Sequence, residues 1–352
     1  MADSRPGHIP SPAALRASLR RDGFVIIRSI LPPAQLAALH AAARRTTALA
    51  RAGGWPHVRT VGKQFPPWTF DPEAGIWGVQ GLMDPALGPE SRVFARGYFS
   101  DEILGVVKAL LGSDDDDDDD NDDDSLVLEL YNLLVNPPTP FALRWHRDDI
   151  PATATTEEEE ARLLHNRTPS SSSRQQQQQP LYSHTQYNLA LCDADASLVV
   201  VPGSHARART QAERDADPFA EHLPGQLVVQ LGAGDVVFYD NNILHRGVYE
   251  DVARERMALH GSVGHVRAGK ARARNVLQHG VRDWVEGVDF DEVFAAGLAG
   301  GDEASDAWYD QLQGEAERKA WKERQKARAE KMREKLVKLG RESGDVGYSL
   351  TG

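Results

Sequence analysis

The pattern of apolar and polar residues predicts helices in the first part of the chain and short strands later. LRRDGFVIIRSI, residues 19–30, predicts the end of a helix that leads into a strand. LPPAQLAALHAAARRTTALA, residues 31–50, has proline where a helix would begin and apolar residues at helical spacing. We expect these helices to pack beside a sheet.

From residue 126 onward the apolar runs are short and end in turn sequences. The runs are LVLELYNLLV, HTQYNLALC, SLVVVPGSH, GQLVVQLGAGDVVFYD and RERMALHGSVGHV. Turn pairs such as NPP, PG and GAGD separate them, and no helical pattern lies between them. A parallel sheet would need crossover helices, so the pattern favours a β-sandwich or jelly roll.

Two segments have very low sequence complexity. DDDDDDDNDDD, residues 114–124, contributes ten aspartates, so the formal net charge of −12 would be −12 + 10 = −2 without it. Like charges repel and cannot bury surface, which predicts a disordered surface insertion. Binding of divalent ions, or imitation of an acidic partner, is the alternative. A Glu/Gln-rich segment at about 153–180 is also predicted to be a loop.

The C-terminal segment from Glu315 to Arg341 has the opposite charge bias. It contains eleven Lys and Arg against five Glu, and no proline. We expect a long helix that is exposed or packed at an edge. Its apolar stripe is thin and consists of Trp321, Met332, Leu336 and Leu339. Binding to nucleic acid or to an acidic surface is the alternative role.

Composition limits the class of protein and its compartment. At 352 residues and 41% hydrophobic content the chain can build a sizeable core. Cys192 is the one cysteine, which excludes an internal disulfide and a cluster of thiolates. MADSRPGHIPSP has no apolar core of a secretory signal, and YSLTG is not a peroxisomal signal of the Ser-Lys-Leu type. These features predict a cytoplasmic protein, with the nucleus open, and no membrane partner.

The stretch LRWHRDDIP, residues 143–151, carries the first candidate chemistry. A His and an Asp two residues apart are common in charged turns, but on a strand His146 and Asp148 would project from the same face. His245, at the end of GDVVFYDNNILHRG, supplies a third donor. Two histidines and one carboxylate are the ligand set of non-haem Fe(II) oxygenases. Asp149 is the rival carboxylate, although a strand would turn it away.

An oxygenase also needs a source of electrons. No strand is followed by a GxGxxG dinucleotide fingerprint, so a keto acid is the better candidate. Its distal carboxylate would need a cation, and guanidinium binds carboxylate in a bidentate manner. Arg254 and Arg256 are predicted to lie in the strand after His245 with the same parity, so either could point inward.

The chain resembles the phytanoyl-CoA dioxygenase family of Fe(II)- and 2-oxoglutarate-dependent oxygenases over roughly residues 20–285. The matching motifs are DGFVIIRSIL, His-Arg-Asp at 146–148, SLVVVPGSH, GDVVFYDNNILHRG, and an arginine eleven residues after His245. The resemblance implies a mainly β fold with flanking helices, a double-stranded β-helix (jelly roll, cupin-like) with N-terminal helices and a long C-terminal helix. It implies Fe(II) bound by His146, Asp148 and His245. It selects Arg256 over Arg254 as the 2-oxoglutarate anchor.

The same resemblance implies an activity. The enzyme would use O₂ and 2-oxoglutarate to hydroxylate an aliphatic C–H bond of a small molecule, releasing succinate and CO₂. Asn188 matches the position of a polar residue that hydrogen-bonds 2-oxoglutarate, and QYNLALC places it on one face with Gln186 and Ala190. Nucleic acid is not an expected partner, and neither the substrate nor the oligomeric state can be inferred from the sequence.

Several residues and alternatives stay open at this stage. His205 is expected to be a turn residue, and His184, His260 and His265 core or rim histidines, the first two of them near the pocket. The dioxygenase domain is predicted at 20–290, with a charged, largely helical extension at 291–352. The Glu/Gln-rich insertion lengthens the separation between Asp148 and His245 to 97 residues. The alternatives are a non-catalytic jelly-roll scaffold and a cupin-type metal enzyme without a keto acid.

Overall fold

The computed structural model describes residues 7–62, 75–112, 125–165, 167–168, 181–295, 307–309 and 311–344. Its helices are α1 Pro12–Asp22, α2 Pro33–Arg51, α3 Pro89–Tyr98, α4 Asp101–Leu111, α5 Thr156–His165, α6 Gln211–Asp215, α7 Gly269–Val276, α8 Phe290–Val293 and α9 Gly314–Glu342. Its strands are β1 Phe24–Ile27, β2 Val58–Thr60, β3 Ile76–Val79, β4 Leu126–Val135, β5 Phe141–Ala142, β6 Arg167–Thr168, β7 Leu181–Tyr182, β8 His184–Ala190, β9 Leu198–Val200, β10 Leu227–Val228, β11 Val236–Tyr239, β12 His245–Tyr249 and β13 Met257–His265.

The strands form two main antiparallel sheets. The larger has the order β1-β11-β8-β13-β4-β3-β2, and the smaller has the order β10-β9-β12-β5. Six of the nine pairs of neighbouring strands in these two sheets join strands that are not consecutive along the chain, as in a jelly roll. The predicted mainly β fold with flanking helices is therefore confirmed.

The core is divided by the larger sheet. All seven residues of β8 are buried, because helices cover one face of the sheet and the smaller sheet faces the other. The largest apolar cluster joins α1–α4 and α9 to the sheet. A second cluster lies between the sheets and includes Val200 of β9 and Val237 of β11. The polar cavity described below also lies on this inter-sheet side.

The junction between α1 and β1 is built as the sequence predicts. Ser11 caps the first turn of α1 with its hydroxyl, and Pro12 begins the helix. Gly23 ends it with φ of 82°, a conformation that glycine adopts at low cost. A Cβ atom at Gly23 would lie 2.5 Å from Nδ1 of the buried His205. His205, which the sequence predicts to be a turn residue, lies in the short helical turn Ser204–Ala206 and is buried in the core against this junction.

The C-terminal helix α9 confirms the predicted long helix. Its buried side chains include Trp321, Met332 and Leu336, which are three of the four predicted apolar positions. The helix packs against β4 and α7, and Arg328 forms an ion pair with Asp101 at 2.6 Å. It is thus a docked part of the structure. Among the described helices, none is both long and apolar enough to cross a membrane.

The low-complexity insertions have different outcomes. Residues 114–124 lie outside the described residues, as do 166 and 169–180. The loop prediction is wrong for the start of the second insertion, because residues 156–165 form α5. Glu159 of this helix is fully buried and pairs with Arg209 at 2.5 Å and with Arg214 at 2.8 Å. These two buried ion pairs attach α5 to the segment 209–214, and the Glu-rich composition alone gives no sign of them.

Candidate active site

A cavity of about 190 Å³ lies between the two sheets and collects all five predicted site residues. His146, Asp148, Asn188, His245 and Arg256 line it. Its walls come from both sheets, from the segment 143–149 and from α7. The sequence separates these residues by up to 110 positions, and the jelly roll brings them to one chamber.

Three of these residues form a compact group of potential metal ligands. Nε2 of His146 lies 3.5 Å from Oδ1 of Asp148, and Nε2 of His245 lies 3.9 Å from the same oxygen. The two imidazole centroids are 4.3 Å apart. All three donor atoms lie within 4.8 Å of one another, a spacing that a single ion can bridge.

The backbone holds this group in a way that differs from the predicted strand. His146 forms an isolated bridge with His245, in which each backbone N–H donates to the other's carbonyl oxygen at 3.0 Å. Asp148 lies in a bend beyond the bridge, where its N–H donates to the carbonyl oxygen of Asn241 at 3.0 Å. The prediction of a continuous strand through 146–148 is wrong, because the pairing partner turns into a loop. The segment still presents both side chains to the cavity.

Arg147, between the two ligand candidates, points away from them. Its guanidinium is buried and donates to the carbonyl oxygens of Ser204, Asn242 and Arg207. These bonds tie the His-Arg-Asp segment to the PGSH turn. Arg147 therefore fixes the backbone from which His146 and Asp148 project.

Hydrogen bonds orient both imidazoles. Nδ1 of His146 donates to the carbonyl oxygen of Arg144, and Nδ1 of His245 donates to that of Ile243, both at 2.8 Å. Nε2 of each imidazole, the nitrogen that remains for a metal, faces Asp148. Burial lowers the pKa of His146, but the hydrogen bond and the charge of Asp148 outweigh burial and raise this pKa above its ordinary value. Burial, and then the neighbouring His146, lower the pKa of His245 to about 4. His245 is therefore neutral at physiological pH.

Asp148 is held in its charged form. Burial alone would raise its pKa, but His245, His146 and the amide of Gln186 together hold the pKa of this carboxyl well below its usual range. Gln186 Nε2 donates to Asp148 Oδ2 at 2.5 Å. One carboxylate oxygen is thus engaged by an amide while the other faces the imidazoles, as expected for a monodentate metal ligand with a supporting hydrogen bond.

Arg256 is a buried cation at another wall of the cavity. Its Nε donates to Asp195 Oδ2 at 3.0 Å, and its guanidinium lies 5.2 Å from the centroid of the Tyr249 ring. Nη1 is buried and has no hydrogen-bond partner among the described residues. A buried guanidinium nitrogen without a partner is costly, so this atom is a strong candidate for contact with an anion.

The structure separates Arg256 from Arg254. Neither lies in a strand, because β13 begins at Met257, so the predicted strand position is wrong for both. They lie in the turn between β12 and β13, where Arg254 is exposed and Arg256 is buried. The shared parity that the sequence suggested therefore has no bearing on which of them reaches the cavity.

Asn188 belongs to a polar group on the wall of the larger sheet. Nδ1 of His260 donates to the amide oxygen of Asn188 at 2.8 Å, and Tyr239 Oη lies 3.5 Å from both. His260 is the cross-strand neighbour of Asn188, so the two side chains share a face. Burial, and then Arg59, lower the pKa of His260 to about 3, so it is a neutral donor. His260, which the sequence predicts to lie near the pocket, lines the cavity.

The rival residues lie around this group. Asp149 borders the cavity, but its carboxylate accepts from Asn241 Nδ2 and lies 3.8 Å from Nε2 of His184. It is thus turned away from the two ligand histidines. His184 is buried on the far side of Asp149, and His265 is buried beside Arg267, whose Nη1 lies 2.8 Å from its Nε2. Neither histidine lines the cavity.

Two further cations line the cavity that sequence reasoning missed. Arg59 lies against Trp77, 5.2 Å from its ring centroid, and its buried Nε has no partner among the described residues. Arg272 of α7 forms a bidentate pair with the buried Glu129 at 2.9 and 2.5 Å. Arg59 stands alone in a three-residue strand, and its side chain crosses Gly78 of β3. No local pattern marks either arginine as a cavity residue.

Comparison with known proteins adds a family and several similar structures. Residues 19–249 match the family model for phytanoyl-CoA dioxygenase (PhyH). No curated protein matches the chain significantly. AviO1 from Streptomyces viridochromogenes Tue57 is 21% identical, with coverage of 73% of this chain and 96% of AviO1 and a TM-score of 0.48.

Two other similar structures have ligands in their descriptions. EctD from S. alaskensis, solved with 2-oxoglutarate and 5-hydroxyectoine, is 18% identical over 76% of this chain and 86% of EctD, with a TM-score of 0.48. HygX from Streptomyces hygroscopicus, solved with nickel and 2-oxoglutarate, is 17% identical over 70% of this chain and 84% of HygX, with a TM-score of 0.46.

Proposed function

The chain belongs to the phytanoyl-CoA dioxygenase family of Fe(II)- and 2-oxoglutarate-dependent enzymes, and on that premise we propose a role for each residue of the cavity. His146, Asp148 and His245 bind Fe(II). Arg256 binds the distal carboxylate of 2-oxoglutarate, with Asn188 as a further hydrogen-bonding group. The reaction is hydroxylation of an aliphatic C–H bond in a small organic substrate.

The three candidate ligands suit Fe(II) in the type of their donor atoms, and hydrogen bonds already hold their side chains in place. Two imidazoles and one carboxylate converge with their donor atoms within 4.8 Å. Both Nδ1 atoms are already occupied by backbone carbonyl oxygens, so neither histidine must change tautomer to bind a metal. Three protein ligands leave positions open for a bidentate cosubstrate and for O₂.

The observation that carries the proposal is the buried Nη1 of Arg256 in the same cavity. The distal carboxylate of 2-oxoglutarate needs a buried cation with a free donor, whereas a metal enzyme that uses no keto acid does not need Arg256. Asp195 accepts from Nε, and the buried Nη1 has no hydrogen-bond partner among the described residues. The ion pair thereby orients the guanidinium, and Tyr249 packs beneath it.

The roles of the protein groups follow from these contacts. Bound Fe(II) and 2-oxoglutarate supply oxidation by O₂, with succinate and CO₂ as co-products. Gln186 holds one oxygen of Asp148, which leaves the other oxygen to bind Fe(II) when the ion is present. His260 and Tyr239 hold the amide of Asn188 in one orientation. Trp77 and Leu134 contribute apolar surface to the cavity wall, which would limit the access of water to the reacting centre.

We also propose the extent of the catalytic domain as residues 20–290, with 291–352 as an extension. The extension contributes α9, which packs against β4 and α7. Leu130 and Leu134 of β4 line the cavity, and so do Arg272 and Asn275 of α7. α9 therefore supports two walls of the site from outside without contributing a residue to its lining.

The proposal is tested by turnover of 2-oxoglutarate. Protein reconstituted anaerobically with Fe(II) is mixed with 2-oxoglutarate and O₂, and succinate is measured with and without candidate substrates from the acyl-CoA, amino-acid, terpenoid and alkaloid classes. Succinate formation that a substrate stimulates, and that His245→Ala abolishes, supports the proposal. A protein that binds neither Fe(II) nor 2-oxoglutarate would instead be a non-catalytic jelly-roll scaffold. Binding of Fe(II) without 2-oxoglutarate would indicate a cupin-type enzyme.

A further inference from the structure

A second group of potential metal ligands lies outside the cavity. It consists of His40 on α2, Cys192 just after β8, and Glu255 in the turn between β12 and β13. None of the three lines the cavity of the candidate active site. The group is partly exposed, with His40 and Cys192 half-buried and Glu255 open to solvent, so an ion has a path to it.

Two of the three separations between donor atoms are close to those of a tetrahedral zinc site, and all three lie within 4.8 Å. Sγ of Cys192 lies 3.9 Å from Nε2 of His40, and that nitrogen lies 3.8 Å from Oε2 of Glu255. Ordinary Zn–S and Zn–N or Zn–O bond lengths in a tetrahedron give about 3.6 Å and about 3.4 Å for these two separations. The side chains would therefore need to move inward by only a few tenths of an ångström.

The types of donor and their surroundings also favour zinc. Thiolate and imidazole are the ligands that Zn(II) prefers, and a carboxylate is a common third. Arg44 lies one turn after His40 on α2, and its Nε is 3.3 Å from Oε1 of Glu255. It holds the outer carboxylate oxygen and leaves Oε2 toward His40. A ligand carboxylate is commonly supported in this way by a second hydrogen bond.

We propose that His40, Cys192 and Glu255 form a second metal site, which binds a zinc-type divalent ion with one position left for water. The three ligands come from three separate elements, so the bound ion crosslinks helix α2 to the end of β8 and to the β12–β13 turn. Glu255 directly precedes Arg256 in that turn. The ion therefore stabilises the turn that carries Arg256, a consequence that rests on the function proposed for Arg256.

The test exploits the single cysteine of the chain. Metal-free full-length protein is titrated with Co(II) under anaerobic conditions, and the near-ultraviolet thiolate-to-cobalt charge-transfer band is followed. Because Cys192 is the only cysteine, any such band reports this site alone. We expect a saturable band that Cys192→Ser abolishes and that about one further equivalent of Zn(II) displaces. Binding at His146, Asp148 and His245 produces no thiolate band, so His245→Ala should retain it.

Variants of the other two ligands complete the test. His40→Ala and Glu255→Gln should each weaken formation of the band by about tenfold or more, because two remaining ligands hold a labile ion poorly. Glu250→Gln, an exposed carboxylate in the same turn, is the matched control and should leave the band unchanged. Absence of the band at saturating Co(II) in folded protein would overturn the proposal. The proposal would also be overturned if His40→Ala and Glu255→Gln both bound Co(II) with the affinity of the wild type, since the thiol of Cys192 would then bind cobalt without the other two residues.

A measurement of stability gives an independent readout. Zn(II) should raise the melting temperature of the wild-type protein by about 3 °C more than that of Cys192→Ser, since binding to the folded state stabilises it. Equal shifts in the two proteins would contradict a crosslink through Cys192. Neither this result nor the cobalt band depends on 2-oxoglutarate, so failure of the second site is distinguishable from failure of the proposed function.

Discussion

Replacement of Arg256 by glutamine tests the role assigned to the buried guanidinium. We expect the Arg256→Gln protein to retain Fe(II) and to bind 2-oxoglutarate about 10-fold to 150-fold more weakly than the wild type. A hydrogen bond to a charged group contributes about 1.5 to 3 kcal/mol, and about 1.4 kcal/mol corresponds to a factor of ten in affinity. Arg256→Lys should give a smaller loss, because an ammonium keeps the charge but lacks the planar pair of donors.

The same substitution has a cost for folding that must be separated from the loss of binding. Asp195 is buried, and without Arg256 it loses the partner at Oδ2 while keeping the N–H of Ser197, which donates to Oδ1 at 2.9 Å. Breaking a buried ion pair costs about 3 to 5 kcal/mol. We therefore expect a lower melting temperature in Arg256→Gln together with an unchanged stoichiometry of Fe(II).

The assay is the dissociation constant of 2-oxoglutarate, measured anaerobically with Fe(II)-loaded protein below the melting transition. Arg254→Gln is the matched control, because Arg254 is exposed in the same turn and should have no effect. The reasoning is refuted if Arg256→Gln binds 2-oxoglutarate as tightly as the wild type. It is also refuted if Arg254→Gln shows the loss instead.

Three further outcomes follow from the structure. His146→Ala and His245→Ala should each lose most bound Fe(II) in metal analysis, because only two ligands remain; unchanged iron content in both would exclude the proposed site. Glu159→Gln should lower the melting temperature by several degrees, since Arg209 and Arg214 lose a buried carboxylate partner worth about 3 to 5 kcal/mol, whereas the exposed Glu160→Gln should not. Replacing residues 114–124 with a short Gly/Ser linker should change the melting temperature by less than about 5 °C, and a larger drop would show that this run is structural.

Much of the fold could be predicted because its signals are local. Short apolar runs with turn residues between them predict β4, β8, β11 and β13, and the segment rich in Lys and Arg and without proline predicts α9. The candidate ligands could be predicted because the motifs His-Arg-Asp and His-Arg-Gly carry them. Arg256 was selected by its spacing from His245 rather than by a strand pattern. The turn that contains Arg256 could not be predicted from the alternation of residues along a strand, because Arg256 lies outside any strand.

The remainder depends on contacts between distant segments. Glu159 is one of four consecutive glutamates, and only the approach of Arg209 and Arg214 makes it a buried residue. Arg59 enters the cavity because the opposite residue in the neighbouring strand is Gly78, which leaves room for its side chain. Such pairings are set by tertiary packing, so neither charge runs nor periodicity could reveal them.

The reciprocal backbone bridge between His146 and His245 makes the geometry of the proposed metal site independent of the chain segment that joins its ligands. Two peptide hydrogen bonds of 3.0 Å set the spacing of the histidines, whatever the length of the intervening segment. The entropic cost of a longer loop grows only logarithmically, by about 0.6 kcal/mol per doubling. The described residues between Asp149 and the start of β8 contribute neither a candidate ligand nor a residue of the cavity wall. The segment between α5 and β8 is therefore suited to loop grafting, in which a segment from another sequence is exchanged while the proposed ligands and the ion pairs of Glu159 stay in place.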